Sequence, residues 1–160
     1  MERTEAMRTT NKTAYVKRNI LSGVLFGLGL VAFLDEVIFH QILHWHKFYD
    51  RSTTNIGLIS DGFFHAFSWL ATVSGLFLVA DLRRRDAFSY LLWQGSVLLG
   101  AGTFNLYDGI IQHKIMRIHQ IRYVDNVIIY DVIWNLLAVA LMIIGLSLIL
   151  QSKKKMKETI

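Results

Sequence analysis

The sequence predicts an all-α integral membrane protein, a four-helix bundle made of two parallel two-helix repeats. Three observations indicate this fold: an apolar composition, four long apolar segments and an internal repeat. Of the 160 residues, 53% are hydrophobic, and the mean hydropathy of +0.38 is typical of a membrane protein rather than of a soluble domain. We therefore expect one membrane domain over 20–151, between basic tails at 1–19 and 152–160.

Four apolar segments are long enough to cross about 30 Å of hydrocarbon, which takes roughly 20 helical residues. They run over 20–43, 56–80, 87–110 and 127–150, and the third is expected to continue to Ile118. The chain contains no proline. A distortion of any of these helices must therefore come from glycine, from side chains or from water.

The basic residues are distributed unevenly between the two ends of the predicted helices. Twelve of the 17 lysines and arginines precede the first segment, separate the second from the third or follow the fourth. By the positive-inside rule, both termini of this multi-pass protein lie in the cytoplasm. Because flanking charge accounts for the net charge of +5, we expect the lipid bilayer and no nucleic acid as a partner. A homo-oligomer is left open.

An internal repeat divides the domain into two halves, 20–81 and 87–151. Residues 27–47 align without gaps on 100–120, with seven identities among twenty-one positions. The identities include the pattern Asp-x4-His-x5-His in both copies, although ionisable residues are costly in apolar helices. Since each copy contains two spans, both copies have the same orientation, and a two-fold axis along the membrane normal should relate them.

The polar residues of all four helices share one depth, in the extracytoplasmic half of the predicted bundle. The candidate metal ligands are Asp35, His40, His46, Asp61, His65, Asp108, His113, His119 and Asp131. We expect an inner layer formed by His40, Asp61, His65, His113 and Asp131. His46 and His119 would lie near the mouth of the site.

Helical geometry limits which of these residues can reach one ion. At 100° per residue, Asp35 and His40 point about 140° apart on a straight α-helix. Such a helix cannot bring Asp35, His40 and His46 together. Either the helix is distorted near His40, or these residues serve different layers of the site. Near the axis, a residue should meet its own counterpart, as His40 would meet His113.

The two copies differ in their polar residues. His44 and His65 of the first copy align with Arg117 and Asn135 of the second. We interpret His44 as an interfacial residue, and Glu36, which aligns with a glycine, as a local feature of the first copy. One half-site is therefore expected to be specialised or to have lost its ion.

Histidine combined with aspartate suits a transition metal ion, here zinc, iron or copper. The chain has no cysteine, which excludes thiolate sites, iron–sulfur clusters and covalently attached c-type haem. Three other interpretations stay open. They are a hydrogen-bonded network that clamps the helices, a b-type haem between His40 and His113, and a proton relay.

The polar motifs resemble those of a bacterial family catalogued as domain of unknown function 2243 and described as predicted membrane protein. The resemblance rests on Phe39-His40-Gln41-Ile42-Leu43-His44-Trp45-His46, Asp61-Gly62-x2-His65 and Gly102-x-Phe104-Asn105-x2-Asp108-Gly109 with His113 and His119. It departs at Glu36, where the family commonly has glycine. The resemblance implies a bacterial plasma membrane. In some bacteria the family is fused to a domain resembling cytochrome c oxidase assembly factors, which implies a respiratory or copper connection.

Two functions remain as hypotheses. One is a metal-dependent enzyme, in which the ion activates water or handles electrons. The other is a non-catalytic subunit that carries metal to a respiratory complex. An enzyme needs an open coordination position, whereas a storage or structural site is closed.

Overall fold

The structure, a computed structural model, describes residues 2–158, with side chains described over 13–158. This range is all-helical. Its elements are α1 (Glu2–Asp35), the π-helical segment π1 (Glu36–Ile42), α2 (Thr54–Arg84), α3 (Tyr90–Tyr107), the π-helical segment π2 (Asp108–Met116) and α4 (Ile128–Glu158). The prediction of four helices is confirmed, and α1 and α4 extend well into the predicted tails.

Three of the helices are long and apolar enough to cross a membrane. They occupy Thr13–Ile42, Thr54–Arg84 and Ile128–Glu158. The third predicted segment is not among them, because polar residues such as Gln94 and Asn105 lower its mean hydropathy. This helix, α3, packs against both α1 and α4, so protein covers much of its surface.

The helices are arranged around a central pair, α1 and α3. Helix α2 packs on α1, and α4 packs on α3. Both outer helices leave large apolar side chains exposed, among them Phe63, Leu70 and Leu136. Such surfaces are suited to contact with lipid, which is as apolar as these side chains.

Glycines allow the closest approach within the central pair. Gly27 of α1 lies against the backbone of Val97 on α3, and Gly100 of α3 lies against the backbone of Val24 on α1. A side chain at either glycine would collide with main-chain atoms, so small residues are required here, as at other close crossings in membranes. The crossing aligns the ends of α1 and α3, from which π1 and π2 continue.

Candidate metal centre

The π-helical segments bring together side chains that an α-helix would separate. A π-helix closes i→i+5 hydrogen bonds, so residues five apart lie on nearly the same face. His40 Nε2 accordingly lies 3.5 Å from Asp35 Oδ2, and His113 Nε2 lies 3.1 Å from Asp108 Oδ2. Of the two alternatives given above, a distorted helix or separate layers of the site, the structure therefore has the distorted helix. The distortion occurs at His40 and in the same way at His113.

After each π segment the chain turns back and carries a second histidine inward. His44 and Arg117 adopt the left-handed conformation, with φ of 53° and 52°, which commonly ends a helix. Two residues later in each case, His46 and His119 are buried. A straight continuation of either helix would have left these two imidazoles outside the bundle.

Backbone carbonyls orient both of these inner imidazoles. His46 Nδ1 donates to the Ile121 carbonyl at 3.0 Å, and His119 Nδ1 donates to the Phe48 carbonyl at 2.8 Å. A carbonyl can only accept, so Nδ1 carries the proton and Nε2 keeps its lone pair. This is the form in which a histidine binds a metal, with its second nitrogen held by another acceptor.

The imidazoles of His40, His46, His113 and His119 form one compact group, called here the four-histidine cluster. The rings of His46 and His119 are stacked at 4.6 Å with 7° between their planes. His40 lies 4.5 Å from His46, and His113 lies 4.8 Å from His119. Each inner ring also contacts the outer histidine of the other half, at 6.1 and 6.2 Å. The cluster is therefore built jointly by both halves of the chain.

Two carboxylates flank His40 on the side away from the cluster. Its Nδ1 donates to Asp61 Oδ1 at 3.1 Å and lies 2.8 Å from Glu36 Oε2. Asp61 also accepts from the backbone N–H of Phe48 at 2.7 Å. These contacts fix the ring of His40 so that Nε2 points toward Asp35.

The corresponding environment of His113 differs. Its Nδ1 lies 3.9 Å from Asp131 Oδ1, and the other oxygen of Asp131 pairs with Lys114 Nζ at 2.5 Å. Gly109 occupies the position of Glu36, and a Cβ there would meet the side-chain amide of Asn135 at 2.8 to 3.1 Å. The second half therefore replaces a carboxylate by a lysine and an amide.

The centre is buried and contains more acceptors than donors. The four histidines are only 1 to 5% exposed. Burial, with the neighbouring His119 and His40, lowers the pKa of His46 to about 2, so this imidazole is neutral. The described side chains contain eleven buried oxygen or nitrogen atoms that have no hydrogen-bond partner. All eleven belong to centre residues or to residues within four positions of one. Six of the eleven face an oppositely charged type of group, as Glu36 Oε2 does at 2.8 Å from His40, whereas five, including His46 Nε2, have no such contact. Buried polar atoms without a partner are costly and need an explanation such as a bound ion.

Some of these atoms are close enough together to hold an ion. Ligand atoms lie within 4.8 Å of one another in the groups Asp35–His40–His46, His46–His113–His119 and Glu36–His40–Asp61. The first two groups share His46, and the first and third share His40. They therefore describe adjoining parts of one centre.

Eight of the nine candidate ligands lie in this centre or at its edge, but their order differs from the prediction. His46 and His119, expected near the mouth, lie at the middle, because the chain turns back after each π segment. His65, expected in the inner layer, is half-buried with its ring 5.5 Å from that of Phe33. The stacked counterparts are His46 and His119 rather than His40 and His113. Glu36 was interpreted as a local feature of the first copy, but its carboxylate contacts His40. A second acid directly after Asp35 in an apolar helix could have indicated this role.

The family model described as predicted membrane protein, domain of unknown function 2243, matches residues 22–152, and the chain belongs to this family. The curated proteins contain no match. Among the solved structures there is likewise no match.

Proposed function

We propose that this family member is a membrane protein that holds a transition metal centre between its two halves. One observation carries the proposal: the Nε2 atoms of the four-histidine cluster are buried and gathered around Asp35 and Asp108. Those of His40, His113 and His119 lie 3.1 to 3.5 Å from these carboxylates, and that of His46 has no hydrogen-bond partner among the described residues. Neutral imidazole together with carboxylate suits zinc, iron or copper. The four histidines and two aspartates provide six side chains that could coordinate one ion or two adjacent ions.

The outer carboxylates then act on the ligands rather than on the ion. Asp61 and Glu36 at His40 Nδ1, and Asp131 near His113 Nδ1, orient the rings and raise the basicity of the coordinating nitrogens. The carbonyls of Phe48 and Ile121 do the same for the two inner histidines.

The burial of the centre favours a metal-carrying or electron-transferring role over hydrolysis. A hydrolytic metal site keeps one coordination position open to water, whereas here the ligand side chains are almost entirely covered. A bound transition metal would supply Lewis acidity or an electron. The chain's own groups hold the ion, fix its ligands and exclude bulk water. A non-catalytic subunit serving a respiratory complex is compatible with this arrangement.

The other interpretations fit the contacts less well. A haem between His40 and His113 would need an open slot, but His46 and His119 each contact both of these rings. A hydrogen-bonded clamp would pair its polar atoms. Here five buried atoms have neither a hydrogen-bond nor an ion-pair partner among the described residues, and they include His46 Nε2 and Asp61 Oδ2.

We further propose that the halves are parallel repeats related by an axis through the stacked His46–His119 pair. The helix contacts support this, because they recur at equivalent positions. Gly29 packs against Ser68 and Thr72, and Gly102 packs against Ala138 and Met142. Both termini would face the cytoplasm of a plasma membrane, with the centre in the outer half, as the distribution of basic residues requires.

The test is metal analysis of detergent-purified protein by mass spectrometry, with an absorption spectrum to identify the ion. His46→Ala and His119→Ala should each lower metal content at least severalfold, because each removes a buried ligand. His44→Asn and His65→Ala are matched controls, since one histidine is exposed and the other lies outside the cluster. Asparagine tolerates the left-handed conformation of residue 44. Both controls should retain the wild-type content. Metal-free wild-type protein that is folded and monodisperse would refute the proposal, as would equal losses in all four variants.

A further inference from the structure

A cleft of about 330 Å³ lies directly beside the four-histidine cluster. It is lined by Phe48, Phe63, Phe64, Phe67, Phe104 and Gln112. Its volume is at the lower end of the range for small-molecule pockets, which are mostly apolar with a few placed polar groups. Five aromatic rings and one amide match that description.

The cleft connects the outer surface of α2 with the centre. Phe63 and Phe67, at its outer side, are 75% and 49% exposed. On its inner side, the ring of Phe64 stacks on His40 at 5.6 Å, and that of Phe48 lies 6.2 Å from His119. Phe63 lies nine residues into α2, about 14 Å along the helix at 1.5 Å per residue. A molecule would therefore enter from the bilayer and stop one side chain away from the centre.

Gln112 gives the cleft a specific polar feature. It is buried, and its Oε1 has no hydrogen-bond partner among the described residues. An unpaired carbonyl oxygen in an apolar wall favours a ligand that carries a hydrogen-bond donor. An acyl chain of an ordinary lipid has no such group.

The other half of the chain fills the equivalent space with its own side chains. In the alignment of the halves, Trp134 stands opposite Phe64, and Phe39 stands opposite Gln112. Trp134 packs edge-on against Phe39 at 5.6 Å and donates its indole N–H to the Asn105 carbonyl at 3.0 Å. In the half with the cleft, a smaller ring and an amide thus stand where the other half has two side chains that pack on each other.

We propose that this cleft binds a lipid-soluble molecule with a phenolic ring on an apolar tail. The aromatic walls suit a ring, which they can contact edge-on or stacked. The hydroxyl would donate to Gln112 Oε1 after a rotation of this side chain, whose oxygen is covered in the structure, and the tail would leave between Phe63 and Phe67 toward lipid. The inference is independent of whether the centre holds metal, since the cleft is formed by protein side chains alone.

The experiment uses the full chain in lipid nanodiscs and two probes, 4-hexylphenol and hexylbenzene, with empty nanodiscs as the blank. Wild-type protein should bind hexylphenol saturably, at about one per chain. Hexylbenzene should bind about fivefold more weakly, the effect of one ordinary hydrogen bond. Equal binding of the two probes would overturn the proposal in favour of a lipid chain, and a signal no greater than the blank would overturn it altogether.

Three variants test the assignment of residues. Phe64→Trp copies the filled half and should abolish saturable binding, whereas Trp134→Phe, the reverse change outside the cleft, should retain it. Gln112→Leu should bind both probes equally. Thermal melting checks that each variant is folded. Saturable, hydroxyl-dependent binding by folded Phe64→Trp or Gln112→Leu would refute the site.

Discussion

Substituting Gly27 by alanine should separate the central helices and weaken the whole protein. The new Cβ would lie 2.8 Å from the carbonyl carbon and 2.9 Å from the Cα of Val97, and closer still to its carbonyl oxygen. These are main-chain atoms, which cannot rotate away as a side chain can. The crossing of α1 and α3 must therefore open.

The size of the effect follows from two opposing contributions. Overpacking of this kind typically costs about 1–3 kcal/mol, and an opening of even 0.5–1 Å forfeits about a quarter to a half of each dispersion contact along the crossing. Replacing glycine by alanine in a helix returns roughly 0.8–1 kcal/mol. We expect Gly27→Ala to lower the free energy of unfolding by up to about 2 kcal/mol.

Gly62 is a matched control within α2, because a Cβ there meets nothing within 4 Å. For Gly62→Ala only the gain in helix propensity applies, so this change should raise the free energy of unfolding by up to about 1 kcal/mol. The propensity gain is common to both variants, so they should differ by the overpacking cost of about 1–3 kcal/mol in denaturant-induced unfolding in micelles. Gly100→Ala should lower the free energy of unfolding less in the Gly27→Ala background than in the wild-type protein. Both changes open the same crossing, so their effects are not additive. Equal midpoints for Gly27→Ala and Gly62→Ala would refute the reasoning.

Three further predictions follow from particular contacts. Reporter fusions after Arg85 and after Gln151 should both indicate the cytoplasm, given the basic residues on that side, and an external signal from either would contradict the proposed topology. Lys114→Met should destabilise the protein by about 1 kcal/mol because it leaves Asp131 without its 2.5 Å partner. Adding Asp131→Asn should recover part of this loss in a double-mutant cycle. Purely additive effects would contradict the pairing. Trp93→Phe should cost about 1 kcal/mol in thermal unfolding, since the buried Ser22 hydroxyl loses its 3.0 Å indole donor, and an unchanged melting temperature would exclude that contribution.

Most of the fold follows from apolar length, because a helix is the simplest structure that pairs every backbone group within lipid. The same argument did not distinguish α3, which by length and composition alone is less suited to cross a membrane than the other three helices. Counting apolar residues does not indicate how far a helix is surrounded by protein, and Gln94 and Asn105 lower the hydropathy of this one. The arrangement with α1 and α3 at the centre depends on contacts between distant residues, and only the paired glycines suggested a close approach.

The candidate site was predictable in its residues but not in its geometry. Ionisable groups stand out in apolar segments, so Asp35, His40 and their counterparts could be identified from the sequence. The sequence could also exclude a straight helix through Asp35, His40 and His46. It could not identify π1, because a π segment is stabilised by the contacts that it makes possible rather than by a local residue preference. Without π1 and the left-handed His44, the central position of His46 could not be derived.

The excess of carboxylates is a physical reason to expect bound cations in the centre. Five carboxylates surround the four histidines. One of these carboxylates, Asp131, pairs with Lys114. If all five acids were ionised beside neutral imidazoles, four negative charges would be uncompensated, a large cost inside a membrane that protons or bound cations must remove. One divalent ion would leave half of that charge, whereas two would neutralise it. Because Glu36 adds a carboxylate to the first half and Lys114 adds an ammonium to the second, the two ions would differ in their surroundings. The half that lacks the lysine, which also supplies Phe63, Phe64 and Phe67 to the cleft, would therefore provide the more strongly charged position.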